Sequence, residues 1–245
     1  MGIEEPPFLI SLELLRDRIN SFDKYPLNIP FIQELDYIDF HQNVTFLVGE
    51  NGVGKSTIME AIATSLGYNA EGGNKNTNFS TNNTTSGLHK YIRLSRSYRK
   101  PKDEYFLRAE SLYNVATYMD SIAPPEIQGY GGKSLHKQSH GESFLSVIQN
   151  KFKGNGLYLL DEPEAALSPS RQLSVLVIIN ELVKTGSQFI ITTHSPILMA
   201  YPNAKIIQLY DSGLEEIKYT ETEHYTITRD FINHHEKMLV QLFEE

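Results

Sequence analysis

Four short stretches of the chain carry side chains whose types and spacing suit phosphate chemistry. Gly49-Glu-Asn-Gly-Val-Gly-Lys-Ser-Thr57 fits the pattern G-x-x-x-x-G-K-[ST], placed after an apolar run and before residues at helical spacing. Glycines there let successive backbone N–H groups turn inward as a nest, and a helix opening behind them adds the positive end of its dipole. Gly49, Asn51, Gly52, Val53, Gly54, Lys55, Ser56 and Thr57 are therefore expected to cradle a triphosphate, with Lys55 at the β and γ groups and the Ser56 hydroxyl on Mg2+. Leu157-Tyr-Leu-Leu-Asp-Glu-Pro-Glu164 sets two adjacent carboxylates at the end of an apolar run, where open α/β sheets bind ligands. Asp161 is expected to hold Mg2+ through its water and Glu162 to orient or deprotonate the attacking water, whereas Glu164 reads as a surface residue. His194 follows the apolar run Gln188–Thr193, from where it would approach a γ-phosphate. Ser139-His-Gly-Glu-Ser143 precedes a helical pattern; its small residues suit an anion, and a plain capping sequence is the other reading.

Period and punctuation predict the elements that would hold these residues. Val44–Val48 is a β-branched run, and Ile58, Ile62 and Leu66 recur at helical spacing with Gly67 as the stop. Phe144, Ile148 and Phe152 predict a helix from about Glu142, and Leu157–Leu160 predicts a fully apolar strand. Ser168-Pro169 opens a helix through Leu182, Gly186 ends it, and Gln188–Thr192 is the next buried strand. Such alternation implies an α/β fold, a mainly parallel sheet flanked by helices. Ala204–Tyr210 and Leu214–Lys218 flank an Asp-Ser-Gly turn and predict a β-hairpin. Phe231, His235, Met238 and Leu242 mark an amphipathic C-terminal helix, on which the adjacent His234 and His235 face different ways and read as ordinary helix positions. A strand at Glu104–Arg108 and a helix around Ser111–Ile122 suggest an inserted helical lobe at about 70–150 within one domain spanning 1–245. Asn74–Gly87, almost wholly Asn, Thr, Ser and Gly, reads as a mobile surface loop.

Composition narrows the class. At 245 residues the chain is long enough to bury roughly 70–75% of its unfolded surface without staples. It has no cysteine, which removes disulfides, thiolate metal sites and cysteine nucleophiles and suits the cytoplasm. Its net charge of -8 has the wrong sign for holding nucleic acid by bulk electrostatics. The longest apolar runs, such as Leu173–Ile179, fall well short of a bilayer span, and the acidic, proline-bearing start lacks the basic patch of a secretory signal. Neither membrane insertion nor export is expected.

With all four motifs in order, the chain resembles the ABC-type ATPase superfamily of P-loop NTPases. The resemblance implies a Walker A motif at Gly49–Thr57, a signature at Ser139–Ser143, a Walker B motif with its glutamate at Leu157–Glu162, and a switch histidine at His194. By the same resemblance, Lys55, Glu162 and His194 would be catalytic, and ATP with Mg2+ would sit between one subunit's Walker A and Ser139, Gly141 and Glu142 of another in an ATP-dependent homodimer. His140 stands where the family's signature carries its first glycine. Asp161–Pro169 looks more like RecF/SMC-type stand-alone AAA ATPases than transporter subunits, whose loop usually carries aspartate where Ser168 stands. The family's Q-loop glutamine has no counterpart, and Glu110 is the substitute expected to contact metal or water. Too few residues separate Lys55 from Ser139 for a long SMC coiled coil.

The resemblance implies ATP hydrolysis that closes and opens a dimer acting on DNA or a partner protein; the alternative is the nucleotide-binding subunit of an ABC transporter. Lys90, Arg93, Arg96, Arg99, Lys100 and Lys102 could form a local DNA-binding patch, against which stands the reading of a solvated face. A P-loop kinase is disfavoured by Glu162 and His194. Tyr25, Phe31 and Tyr37 precede Walker A as adenine candidates, and each is expected in the core.

Overall fold

The computed structural model describes residues 5–75, 85–112, 114, 117, 136 and 138–244. Its strands in chain order are β1 (Leu9–Leu14), β2 (Tyr37–Asp39), β3 (Val44–Gly49), β4 (Ile92–Arg96), β5 (Asp103–Arg108), β6 (Gly156–Asp161), β7 (Gln188–Thr192), β8 (Lys205–Tyr210) and β9 (Gly213–Ile217). Its α-helices are α1 (Pro30–Glu34), α2 (Lys55–Leu66), α3 (His140–Lys151), α4 (Pro169–Lys184), α5 (Pro196–Met199) and α6 (Glu223–Phe243).

The apolar runs form the middle of one sheet in the order β5-β6-β7-β3-β8-β9. Pairings from β5 through β8 are parallel, and β9 returns antiparallel along β8 as the expected hairpin. Alternate side chains point to opposite faces of a sheet. Leu47, Leu159 and Ile190 accordingly join the core beneath α1 and α2, together with Phe31, Ile58 and Ile62. Their neighbours Phe46, Val48, Tyr158, Leu160, Phe189 and Ile191 fill the opposite face with Phe144 and Val147 of α3 and Val175 and Ile179 of α4. Cover on both faces explains why β3, β6 and β7 are buried at every position.

A second sheet, β2-β1-β4, is antiparallel and lies outside the expectations from sequence. Buried Gln188 ties the sheets together: its side chain accepts from Leu9 N at 2.9 Å and donates to the carbonyls of Leu9 and His41 at 2.8 and 3.0 Å. Parts of the expected lobe belong to these sheets. β4 pairs with β1, β5 is an edge of the main sheet, and Gly73 bridges Phe106. Most of the helix expected at Ser111–Ile122, and residues 76–84 of the expected mobile loop, lie outside the described residues.

The C-terminal helix forms as expected, but none of its residues is buried and its backbone breaks at His234 (φ -136°, ψ 28°). Leu242, one of the residues that mark this helix, and Ile232 are 64% and 68% exposed. Its start is anchored through buried Thr222, whose hydroxyl accepts from Tyr225 N at 3.3 Å.

Candidate active site

β3 delivers the glycine loop to the carboxyl end of the sheet. A Cβ on Gly49 would lie 2.6 Å from the Leu209 carbonyl of β8, so only glycine lets the loop leave the sheet there. Gly54 takes the left-handed conformation (φ +114°) as N-cap of α2, and no side chain caps that helix. The first N–H groups of a helix have no partner within it, which leaves this end suited to an anion.

Lys55 is the first residue of α2 and is buried, its ammonium donating to the carbonyls of Gly49 and Glu50 at 2.8 Å each. Burial pushes its pKa down, while the carboxylates of Glu162, Asp161 and Glu164 act to keep it charged. A desolvated cation is thus held at the mouth of the loop.

Beside it, Asp161 ends β6 with its side chain 2% exposed. Its Oδ1 accepts from Thr192 Oγ1 at 2.6 Å and Ser56 Oγ at 3.2 Å, and Oδ2 lies 3.1 Å from Arg108 Nε. Burial pushes this carboxyl's pKa up; the Thr192 and Ser56 hydroxyls and the Arg108 cation oppose that. Among the described residues no cluster of three His, Cys, Asp or Glu could hold a metal. One carboxylate and one hydroxyl, both hard oxygen donors, fit a Mg2+ ion that keeps waters and takes its remaining ligands from phosphate. Ser56 and Asp161 would hold it.

Glu162 follows in a left-handed conformation (φ 49°, ψ 54°), and its N–H is shared between the Thr192 carbonyl and hydroxyl, both at 3.1 Å. This conformation costs a non-glycine residue about 1–3 kcal/mol and aims its carboxylate off the strand end. Glu162 Oε1 lies 3.6 Å from His194 Nε2. Burial, with Lys55 and His224 nearby, lowers the His194 pKa to about 4, so the ring is neutral at physiological pH.

Glu164 corrects the expectation from sequence. It accepts from Thr193 Oγ1 at 2.7 Å and His194 N at 2.5 Å, pinning the turn that carries His194, and burial raises its pKa. Read along the chain, Glu164 followed two acids into a loop; only the return of β7 beside β6 gives it partners.

A cavity of about 390 Å³ is lined by Ser56, Arg108, Glu110, His140, Asp161 and Glu162. Glu110 is at its rim, 82% exposed and 3.3 Å from Arg108 Nη2. The capping reading of the signature holds: Ser139 Oγ accepts from Glu142 N at 3.4 Å, and Ser139 N donates to Glu142 Oε2 at 2.9 Å. A Cβ on buried Gly141 would lie 2.8 Å from the Ala166 carbonyl, so glycine lets α3 approach the turn after β6.

Arg108, Thr192 and His224 join the site without having been expected. Arg108 had a signal, a lone cation ending the apolar run Tyr105–Leu107 beside β6. Phe31 is in the core, whereas Tyr25 and Tyr37, also expected there, are 63% and 49% exposed. The basic cluster is partly committed: Arg93 pairs with Glu13, and Arg99 pairs with Glu5 and lies 4.3 Å over the Phe8 ring.

A family model described as an AAA domain matches residues 18–164. A second AAA-domain model, whose description names the AbiEii toxin of type IV toxin–antitoxin systems, matches residues 142–200. Among curated proteins the chain is similar to ABC transporter G family member 2 of Dictyostelium discoideum, 26% identical over 202 residues that make up 72% of this chain and 14% of that protein. The chain therefore spans only about a seventh of that relative's length. It is similar in structure to a metal-chelate type ABC transporter in an inward-facing conformation, with 16% identity, 90% of this chain and 88% of the other covered, and a TM-score of 0.50. The SMC head domain from Thermotoga maritima aligns at 16% identity over 86% of this chain and 98% of its own, with a TM-score of 0.45.

Proposed function

For a chain that belongs to the AAA-domain family and has the fold of an ABC-type ATPase, we propose Mg-dependent hydrolysis of ATP in the cytoplasm, by one domain that works as a homodimer. One observation carries this reading. The buried Lys55 ammonium, the Ser56–Asp161 oxygen pair and the carboxylate of Glu162 converge at the carboxyl end of one sheet, around the glycine loop.

In the proposed mechanism the loop N–H groups and Lys55 bind the phosphates, and Ser56 and Asp161 hold the metal. Mg2+, when bound, supplies charge neutralisation at the phosphate oxygens. Glu162 orients water and takes its proton, and His194 holds the γ-phosphate end of the site. Ser139, Gly141 and Glu142 of a second copy close the site, with Glu110 at the metal's rim. Arg93 and Arg99 are spent on internal pairs, and the chain is acidic, which favours a partner protein over DNA as the load.

Calorimetry tests binding. Lys55→Ala should abolish ATP binding, because backbone donors alone leave the triphosphate charge poorly compensated; unchanged affinity would refute the site. Dimer action is tested by mixing. Ser139→Asp keeps a good N-cap but sets a carboxylate against the phosphate, so it and Lys55→Ala should each be inactive alone and regain activity together. No rescue, with a monomer by light scattering in ATP, would refute the homodimer.

The transporter alternative draws on the likeness to the G family member. No helix among the described residues is long and apolar enough to cross a membrane, so in this reading the membrane-spanning part lies outside them. Co-purification with a membrane protein would favour it over ATPase activity in the soluble fraction.

A further inference from the structure

His194 has a second histidine behind it. Its Nδ1 lies 2.9 Å from Nε2 of His224, which is 30 residues further on in the first turn of α6. The ring centroids are 5.1 Å apart at an angle of 59°. The two outer nitrogens, His194 Nε2 and His224 Nδ1, are buried without a hydrogen-bond partner.

Two neutral imidazoles share a hydrogen bond only when one donates and the other accepts. Burial favours the neutral form of both rings. The direction of the bond is then set by what stands at its far ends. The Glu162 carboxylate, 3.6 Å from His194 Nε2, favours a proton on that nitrogen. The charges of Glu223 and Lys55 are felt at the His224 ring, but no group hydrogen-bonds its buried Nδ1. With its single proton on Nε2, His194 can only accept at Nδ1, so His224 must donate from Nε2.

We propose that His224 is a positioning residue: its Nε2–H holds the His194 ring in the Nε2–H tautomer, with that N–H turned toward Glu162 and the mouth of the phosphate loop. The inference rests on the ATP-hydrolase reading for its consequence, though not for the hydrogen bond itself. The same arrangement links catalysis to α6, a helix without a buried residue. Ligand histidines in metal sites are likewise oriented by a hydrogen bond at their second ring nitrogen, there with the histidine as donor, and losing it costs metal affinity or activity on the order of 10–100-fold.

The test compares His224→Phe, which keeps a ring and loses the donor, with His224→Gln, whose amide N–H reaches the place of Nε2. His224→Asn places its amide where Nδ1 stood and cannot make the bond, and it replaces the Phe variant should that one fail to fold. The first readout is ring 15N spectroscopy without nucleotide, with the His194 signals assigned by their loss in His194→Gln. His194 should be the Nε2–H tautomer in the wild type and in His224→Gln, and should shift toward Nδ1–H in His224→Phe or His224→Asn. The second is kinetic: kcat should fall on the order of 10–100-fold in the Phe or Asn variant with KM for ATP unchanged, and recover in His224→Gln. An Nδ1–H tautomer in the wild type, an unaltered tautomer in the donor-free variants, or a Gln variant as slow as Phe would overturn the proposal. Normal ATP affinity in Lys55→Ala would instead remove the hydrolase reading, leaving the spectroscopic result to stand or fall alone.

Discussion

The groups of the candidate site come together from two unlike regions. β6 and β7 are buried at every position and bring Asp161, Glu162 and, just beyond Thr193, His194. α6 has no buried residue and supplies one ring, His224, from a first turn anchored at Thr222. Groups on the strands inherit the positional precision of a close-packed core, where displacing a side chain disturbs its neighbours. A group on the exposed helix is held by its cap and one hydrogen bond, so its position is softer. The hard region suits phosphate and water chemistry, and the soft one suits tuning of a neighbour.

That contrast can be broken most forcefully at Glu162. Glu162→Gln should leave ATP bound while turnover slows on the order of 10²–10⁴; wild-type hydrolysis in a single-turnover assay would take Glu162 out of the mechanism. A smaller effect is expected at Glu164, which pins the end of the hard region. Glu164→Ala leaves Thr193 Oγ1 and His194 N without their acceptor, so denaturant unfolding should show a loss of about 1–3 kcal/mol. An unchanged midpoint would mean that β7 holds its turn without the carboxylate.

Acid sharpens the comparison more gently. The folded His194 pKa of about 4 lies below its ordinary 6.5, so between those values the unfolded chain binds more protons. The His194 contribution is complete above pH 6.5 and is lost as pH falls toward 4. Asp161 and Glu164, with raised pKa values, act in the opposite sense. The wild-type stability curve minus that of His194→Gln should therefore rise with pH across this window, and a flat difference would deny the ring its buried, neutral state. The smallest change is expected on α6. Ile232 is 68% exposed, so Ile232→Ser should alter stability by no more than about 0.5 kcal/mol; a larger loss would show that this face is covered in solution.

Most of the hard region could be read along the chain, because its information is local. The glycine loop, the strand ending in Asp161 and Glu162, and the His194 turn each complete their chemistry or periodicity within a few residues. Runs apolar at every position told of burial on both faces before any partner was known. β1 escaped because its polar and apolar positions alternate irregularly, with a register shift between Leu9 and Ser11, and β4 because its alternation, Ile92 to Ser95, is only four residues long. Glu164 escaped for a different reason: in a row of acids nothing marks the one whose acceptors will be used.

By itself the sequence determined the phosphate loop, the paired carboxylates, the strand-helix alternation and hence the class of fold, because each depends on backbone conformation and side-chain type over short spans. Tertiary structure alone decided that Arg108 sits on Asp161, that Glu164 clamps the turn before His194, and that His224 meets His194 across 30 residues. The physical reason is that these are pairings between ends of different elements, fixed by sheet order and by the way the C-terminal helix is anchored, and no periodicity or local propensity encodes which two ends will meet.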